Sequence, residues 1–254
     1  MKLKTTSAFA LSALLLGTSA MAQTKAPEPD YTLAYNVGVT TDYRFRGIAQ
    51  TSFNPALQGG IDFTHKSGLY LGTWASNIKW IKDYVGATDG SLELDLYGGY
   101  KGEISKDFSY DVGVITYQYP SNTAANVAGF ANANTTEVYG ALTYGLVTAK
   151  YSYSTGDFIA NSNSSGSTYI EVAASFDLGN GFSLTPHVGH QTIPNQSISG
   201  DYTDYSLTLG KDFGNGLSAS VAAIGTNASD AFYKVGAFDN LGKSTVAVGL
   251  KYSF

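Results

Sequence analysis

The chain has 254 residues, 15 of them basic and 20 acidic, for a net charge of −5, and it has no cysteine. The acidic balance argues against a nucleic-acid partner, and the missing cysteines exclude disulfides, thiolate metal sites and a cysteine nucleophile. Charged residues are only 14% of the chain, below the roughly one quarter usual in soluble domains, while 19 Tyr and 29 Gly suit a barrel with half its strand residues in lipid.

The N-terminus reads as a secretory signal. Lys2 and Lys4 precede an apolar run from Ser7 to Leu16, and Ala20-Met21-Ala22 fits the small-residue cleavage rule. Ala20 and Ala22 are the predicted cleavage determinants, which leaves residues 23–254 as one mature domain. The apolar run is too short to span a bilayer as a helix.

Twelve strands are predicted along the rest: 31–43, 55–65, 69–79, 91–101, 108–118, 136–144, 147–155, 168–177, 182–192, 202–212, 217–226 and 245–254. Each is near the roughly 9–11 residues of a tilted membrane strand. Their connections alternate. Short turns carry Gly or Asn-Gly pairs, at 66–68, 102–107, 145–146, 179–181 and 214–216, and suit tight hairpins. Longer loops fall at 44–54, 80–90, 120–135, 156–167, 193–201 and 227–244. The predicted fold is all-β: a transmembrane antiparallel up-and-down β-barrel with both termini on the short-turn, periplasmic side.

Two loops, around Ser121–Thr136 and Asn161–Thr168, are rich in Asn, Ser, Ala and Thr and are expected to be mobile and solvated. The first could instead fold inward as a constriction. Aromatics near the short turns (Phe63, Tyr70, Tyr100, Phe108, Tyr144, Phe176, Phe182, Phe213 and Phe254) are expected to form a periplasmic girdle. Those near the long loops (Tyr43, Phe45, Phe53, Trp80, Tyr119, Tyr153, Tyr169 and Tyr202) would form the outer one.

The last strand sets the rule for faces. Val246, Val248, Leu250, Tyr252 and Phe254 alternate with Thr245, Ala247, Gly249, Lys251 and Ser253, so apolar residues face lipid and their alternates face the lumen. Leu250, Tyr252 and Phe254 also resemble the C-terminal insertion signal read by the barrel-assembly machinery. A lysine or arginine facing lipid at the midplane costs about 2–4 kcal/mol, and strand charges fall mainly on the opposite face. The predicted pore-lining set is Asp42, Arg44, Arg46, Gln58, Asp62, Glu93, Asp95, Tyr97, Lys101, Asp111, Glu137, Lys150 and Glu171. The faces of strands three and eleven are ambiguous. Glu93 and Asp95 share a face and could form a catalytic carboxylate pair, but a lumenal network with Arg44, Arg46, Lys101 or Lys150 is the favoured reading. His65, His187 and His190 are too scattered for a metal site, and no cofactor is expected.

Four stretches in order carry a family resemblance: Asp42-Tyr-Arg-Phe-Arg-Gly-Ile-Ala-Gln50, Pro55-Ala-Leu-Gln-Gly-Gly60, Gly68-Leu-Tyr-Leu-Gly-Thr-Trp-Ala-Ser-Asn77 and Glu93-Leu-Asp-Leu-Tyr-Gly-Gly-Tyr-Lys101. Together they resemble the TorF family of porins, also known as the Gcw_chp family of proteobacterial outer-membrane proteins. The resemblance implies a barrel in a Gram-negative outer membrane and a pore, and it assigns no role to a single residue. The function expected is passive diffusion of small polar or charged solutes. The alternatives are a plugged structural or surface-interaction barrel, an outer-membrane hydrolase using His190 and a neighbouring serine, and a soluble β-sandwich. Solute identity and oligomeric state are not readable.

Overall fold

A computed structural model describes residues 29–234 and 239–254. The signal segment, with Ala20 and Ala22, lies outside them. Twelve strands form one closed antiparallel barrel. They are β1 (Tyr31–Thr40), β2 (Ala56–His65), β3 (Leu69–Asn77), β4 (Leu92–Ser105), β5 (Phe108–Gln118) and β6 (Thr135–Tyr144). There follow β7 (Val147–Ser154), β8 (Thr168–Ala174, resuming as Phe176–Gly179), β9 (Phe182–Thr192), β10 (Tyr202–Gly214), β11 (Leu217–Thr226) and β12 (Thr245–Ser253). Each pairs with its sequence neighbours, and β12 returns to β1 with Val37 opposite Tyr252. Two backbone bonds of 2.9 Å between Tyr35 and Phe254 fasten the short-turn end of this seam, and their rings stack at 5.7 Å.

Period-two alternation explains why these segments form a membrane barrel. Leu33, Val37, Val39, Leu57, Ile61, Leu71, Leu96, Val112, Val114, Val138, Leu142, Ile170, Val172, Leu207, Val221, Val248 and Leu250 all stand exposed on the outer surface. The backbone groups are spent in the ladders, which is what a bilayer demands of a spanning strand. The lower aromatics Tyr100, Tyr144, Phe176, Phe182, Phe213 and Phe254 are also exposed outward. Lys211 reaches the Asn180 carbonyl at a short turn, 2.5 Å away, and so keeps its charge out of the hydrocarbon.

Two of the girdle expectations are corrected. Tyr70 is buried inside the barrel, and in the outer set only Tyr153 stands on the lipid face. Trp80, Tyr119, Tyr169 and Tyr202 are buried, while Tyr43, Phe45 and Phe53 pack against an apolar cluster formed by the loops. Tyrosine has an apolar body and a polar tip, so a position near a strand end suits a membrane interface and a lumen equally.

The inward tyrosines use a recurrent arrangement. Tyr97 lies opposite Gly72, Tyr70 opposite Gly99, Tyr139 opposite Gly113 and Tyr169 one cross-strand step from Gly189. A Cβ on any of these glycines would run into the ring, so glycine lets each phenol lie flat along the wall. Gly189→Val should therefore displace Tyr169 and cost about 1–3 kcal/mol of stability, as overpacking does. Urea unfolding should show most of that cost removed in a Tyr169→Ala background; an equal cost in both backgrounds would refute the ring contact as its cause.

Candidate functional site: a laced roof over a polar lumen

The six long loops meet over one mouth of the barrel and are tied in a ring. In the first loop, a two-residue ladder pairs Arg44–Phe45 with Ile48–Ala49, and its tip requires left-handed φ at Arg46 (48°) and Gly47 (79°). The Gln50 carbonyl accepts from Lys79 N–H (2.8 Å) and Trp80 N–H (3.1 Å), joining the second loop. Thr123 Oγ1 accepts from the Thr88 and Asp89 N–H groups, joining the third to the second. Ala131 N–H donates to Ala160 (2.8 Å), Gln196 Nε2 to Ser162 (3.1 Å) and Tyr233 OH to Gly200, which links the remaining loops. Arg44 closes the ring by donating to the carbonyls of Gly47, Leu241 and Lys243 at 2.9–3.0 Å.

Inside this ring is an apolar core of Ala49, Ile78, Trp80, Ile81, Val85, Tyr117, Tyr119, Ala124, Ala133, Ala160, Tyr202, Tyr233 and Leu241. The two Asn-rich loops are part of it. Ala124, Ala133, Ser164 and Ser167 are fully buried, so the expectation of mobile, solvated loops is corrected. Their small residues allow close packing, and their polar side chains bond to neighbouring backbone.

Arg46 projects from the first loop to the barrel wall. Its guanidinium grips Glu137 of β6 with two bonds (3.0 and 2.6 Å) and donates to Gln191 Oε1 of β9 at 2.7 Å. Tyr169 lies under it at 4.2 Å from the ring centroid, and Phe45 at 4.7 Å. Burial works against the charge, but the Glu137 carboxylate outweighs it and holds the Arg46 pKa above its ordinary value. Glu137 is 1% exposed and also accepts from Ser154 (3.2 Å) and Tyr117 (3.3 Å). Arg44 pairs with Asp42 at 2.7 Å.

Asp42, Arg44 and Arg46 therefore belong to the folded-in first loop and not to the strand wall, because β1 ends at Thr40. Glu93 and Asp95 of β4 do sit on the inner wall, but beneath the roof, 1% and 8% exposed. Tyr43 OH donates to Glu93 Oε1 at 2.9 Å. Burial and the nearby Glu93 carboxylate push the Tyr43 phenol well above its usual pKa, which keeps it a donor. Glu93 Oε2 and Asp95 Oδ1 have no hydrogen-bond partner, and neither carboxylate meets a cationic side chain among the described residues.

Below this level the remaining sequence-predicted residues face the lumen from β2, β4, β5, β7 and β8. Tyr97 OH donates to Asp62 (2.6 Å) and Tyr70 OH to Asp111 (2.6 Å). Lys101 Nζ is 3.7 Å from Asp111 and lies over the Tyr70 ring, and Lys150 lies over Tyr139. His187 stands between Glu171 (3.0 Å) and Asp204 (3.5 Å). Gln58 faces Ser76 across β2 and β3. The pore-lining expectation omitted Asp204, which Tyr169 OH also contacts at 2.8 Å, and Tyr70 and Tyr169. Their signal was the glycine on the same face of a neighbouring strand.

Around the closing seam the inner wall is lined mainly by small residues, with Lys251 and Asp212 among them. Register places Gly38, Lys251 and Ser218 on one inward row and Thr40, Gly249, Ser220 and Gly210 on the next. The ambiguity of strands three and eleven is thereby resolved. β3 turns Tyr70, Gly72, Trp74 and Ser76 inward, and β11 turns Ser218, Ser220 and Ala222 inward. His190 is on the outer face, its Nδ1 2.9 Å from Thr203 Oγ1. Among the described residues no serine hydroxyl bonds to it.

A closed twelve-stranded barrel with an apolar exterior and a charged, aromatic lumen is the fold of outer-membrane channels. It superposes on the KdgM porin with a TM-score of 0.52 at 7% identity, covering 87% of this chain and 98% of that one. For the NanC porin the TM-score is 0.53 at 9% identity, over 88% and 99%. A second KdgM structure, in complex with disordered oligogalacturonate, gives 0.53 at 8% identity, over 87% and 98%. Comparison with proteins of curated function gives no match. The chain belongs to the Gcw_chp family, described as a bacterial protein of unknown function, which it matches over residues 24–254.

Proposed function

We propose that this protein is a narrow outer-membrane channel through which small polar or charged solutes diffuse, with the laced loops restricting its outer mouth. The observation that carries this reading is the water-accessible lumenal charge below the roof. The Lys101 side chain is 58% and Asp111 27% exposed, and Asp62, Lys150, Glu171 and Lys251 are half-buried at other points around the inner wall. A lumen meant only to be filled would bury or neutralise such groups. With carboxylates and lysines facing the lumen from most of the strands, a passing solute would meet fields of both signs along the wall. Leu250, Tyr252 and Phe254 on the outer face of β12 would serve as the insertion signal for the assembly machinery, and the porin activity implied by the TorF resemblance fits this assignment.

The purified protein in planar bilayers should show small, stepwise conductance. Lys101→Glu together with Lys251→Glu should shift the reversal potential in a KCl gradient toward cation preference, since both charges line the proposed path. A second reading, a sealed barrel that presents its roof to a partner, is favoured by the continuous apolar core across the loops. Silence of the wild type and of a roof-opening variant alike would overturn the channel and leave that reading.

A further inference from the structure

Three tyrosines of the inner wall each donate their hydroxyl to a carboxylate two strands away: Tyr70 to Asp111, Tyr169 to Asp204 and Tyr97 to Asp62, at 2.6–2.8 Å. In the first two pairs a cation of the chain covers the ring. Lys101 Nζ stands 4.7 Å from the Tyr70 centroid and 3.7 Å from Asp111, and the Arg46 guanidinium stands 4.2 Å from the centroid of Tyr169. The third pair is bare. Among the described residues no cation lies over Tyr97 and none pairs with Asp62. Strand register gives the reason. β4 places Lys101 opposite Asp111, whereas β3 places Gly72, without a side chain, opposite both Asp62 and Tyr97. Lys251 of β12 aligns with Gly38 and Gln58, and Gln58 is two inward positions from Asp62 along β2. Tyr97 rests one face of its ring on Gly72, where a Cβ would meet it, and turns the other to the lumen. Tyr97 and Asp62 are half-buried, while Tyr70 beneath its lysine is only 8% exposed.

We propose that Tyr97 and Asp62 bind a small primary ammonium ion from solution, its charged nitrogen held between the Asp62 carboxylate and the Tyr97 ring as Lys101 is held between Asp111 and Tyr70. The ring quadrupole and the carboxylate both attract such a group. Ca²⁺ is a poor alternative, because it takes roughly six to eight oxygen ligands and a single carboxylate stands here. The site names one class of solute for the lumen, yet its occupancy does not require the barrel to conduct, so it and the channel reading fail separately.

The test is ¹⁹F NMR of 2-fluoroethylammonium at neutral pH with the full barrel in phosphatidylcholine nanodiscs, 2-fluoroethanol as the uncharged control and empty nanodiscs as the blank. The wild type should bind the ammonium saturably and the alcohol about ten-fold more weakly. Asp62→Asn keeps the shape of the side chain and can still accept from Tyr97; it should weaken the ammonium about ten-fold. Tyr97→Leu removes the ring and should weaken it about three-fold. Asp111→Asn is the comparison: Lys101 already covers that pair, so the loss should stay below about two-fold. Heat-modifiable migration verifies that each variant is folded. Absence of saturable binding in the wild type, equal binding of ammonium and alcohol, unchanged binding in Asp62→Asn, or equal weakening by Asp62→Asn and Asp111→Asn would overturn the proposal.

Discussion

Replacing Arg46 with methionine should cost the barrel about 3–5 kcal/mol in urea unfolding and raise its single-channel conductance several-fold. The stability loss follows from what is left behind. Glu137 is almost fully buried and loses both guanidinium bonds, and an unpartnered buried charge is penalised far more than the intact pair was worth. Glu137→Gln in the same chain should restore most of the stability, because a neutral amide can accept from one of the Ser154 and Tyr117 hydroxyls and donate to the oxygen of the other. It should not restore the low conductance, since the first loop would remain unpinned from β6 and β9. Conductance equal to wild type in both variants would show that the Arg46 bridge does not restrict the mouth.

Asp95→Asn should act in the opposite direction on stability. Two carboxylates on adjacent inward positions of β4 are buried with an unpartnered oxygen each and without a cation. Desolvating a carboxylate without compensation is among the costliest arrangements in a protein. Neutralising one of them should stabilise the barrel by about 1–3 kcal/mol while leaving the reversal potential unchanged, because the pair lies under the roof and out of the water column. Loss of stability by a similar amount would mean that the pair holds a cation. This departs from the lumenal network with Arg44, Arg46, Lys101 or Lys150 that the strand pattern alone suggests for Glu93 and Asp95.

The barrel was legible because its rule is local. Leu92, Leu94 and Leu96 alternate with Glu93, Asp95 and Tyr97, and one apolar solvent outside sorts every strand by the same two-residue period. Asn180-Gly181 and Asn215-Gly216 marked tight turns for an equally local reason, and the left-handed φ of Asn180 and Asn215 is where such pairs put them. The roof was not legible, because nothing near Arg46 in sequence states that its partners are Glu137 and Gln191, 91 and 145 residues away. Trp80 and Tyr119 stand beside strand ends as interface aromatics do, yet they meet each other edge to face at 5.5 Å inside the loop core. The Asn-rich composition of the third and fourth loops concealed the burial of Ala124, Ala133 and Ser164, since small residues pack as readily as they dissolve.

The seam between β1 and β12 has a consequence for how the molecule comes to be. Every other strand pair joins sequence neighbours, whereas Val248 N–H reaches Thr41 Oγ1 across 207 residues of chain. Contacts this distant form slowly, because the loop they close must lose its freedom before any bond rewards it. Hairpins can accumulate one after another, but neither edge strand is protected until the two meet. Ring closure is thus expected to be the slow and final step of folding, with the Tyr35–Phe254 stack locking it, and weakening that stack should delay maturation more than it lowers the stability of the finished barrel.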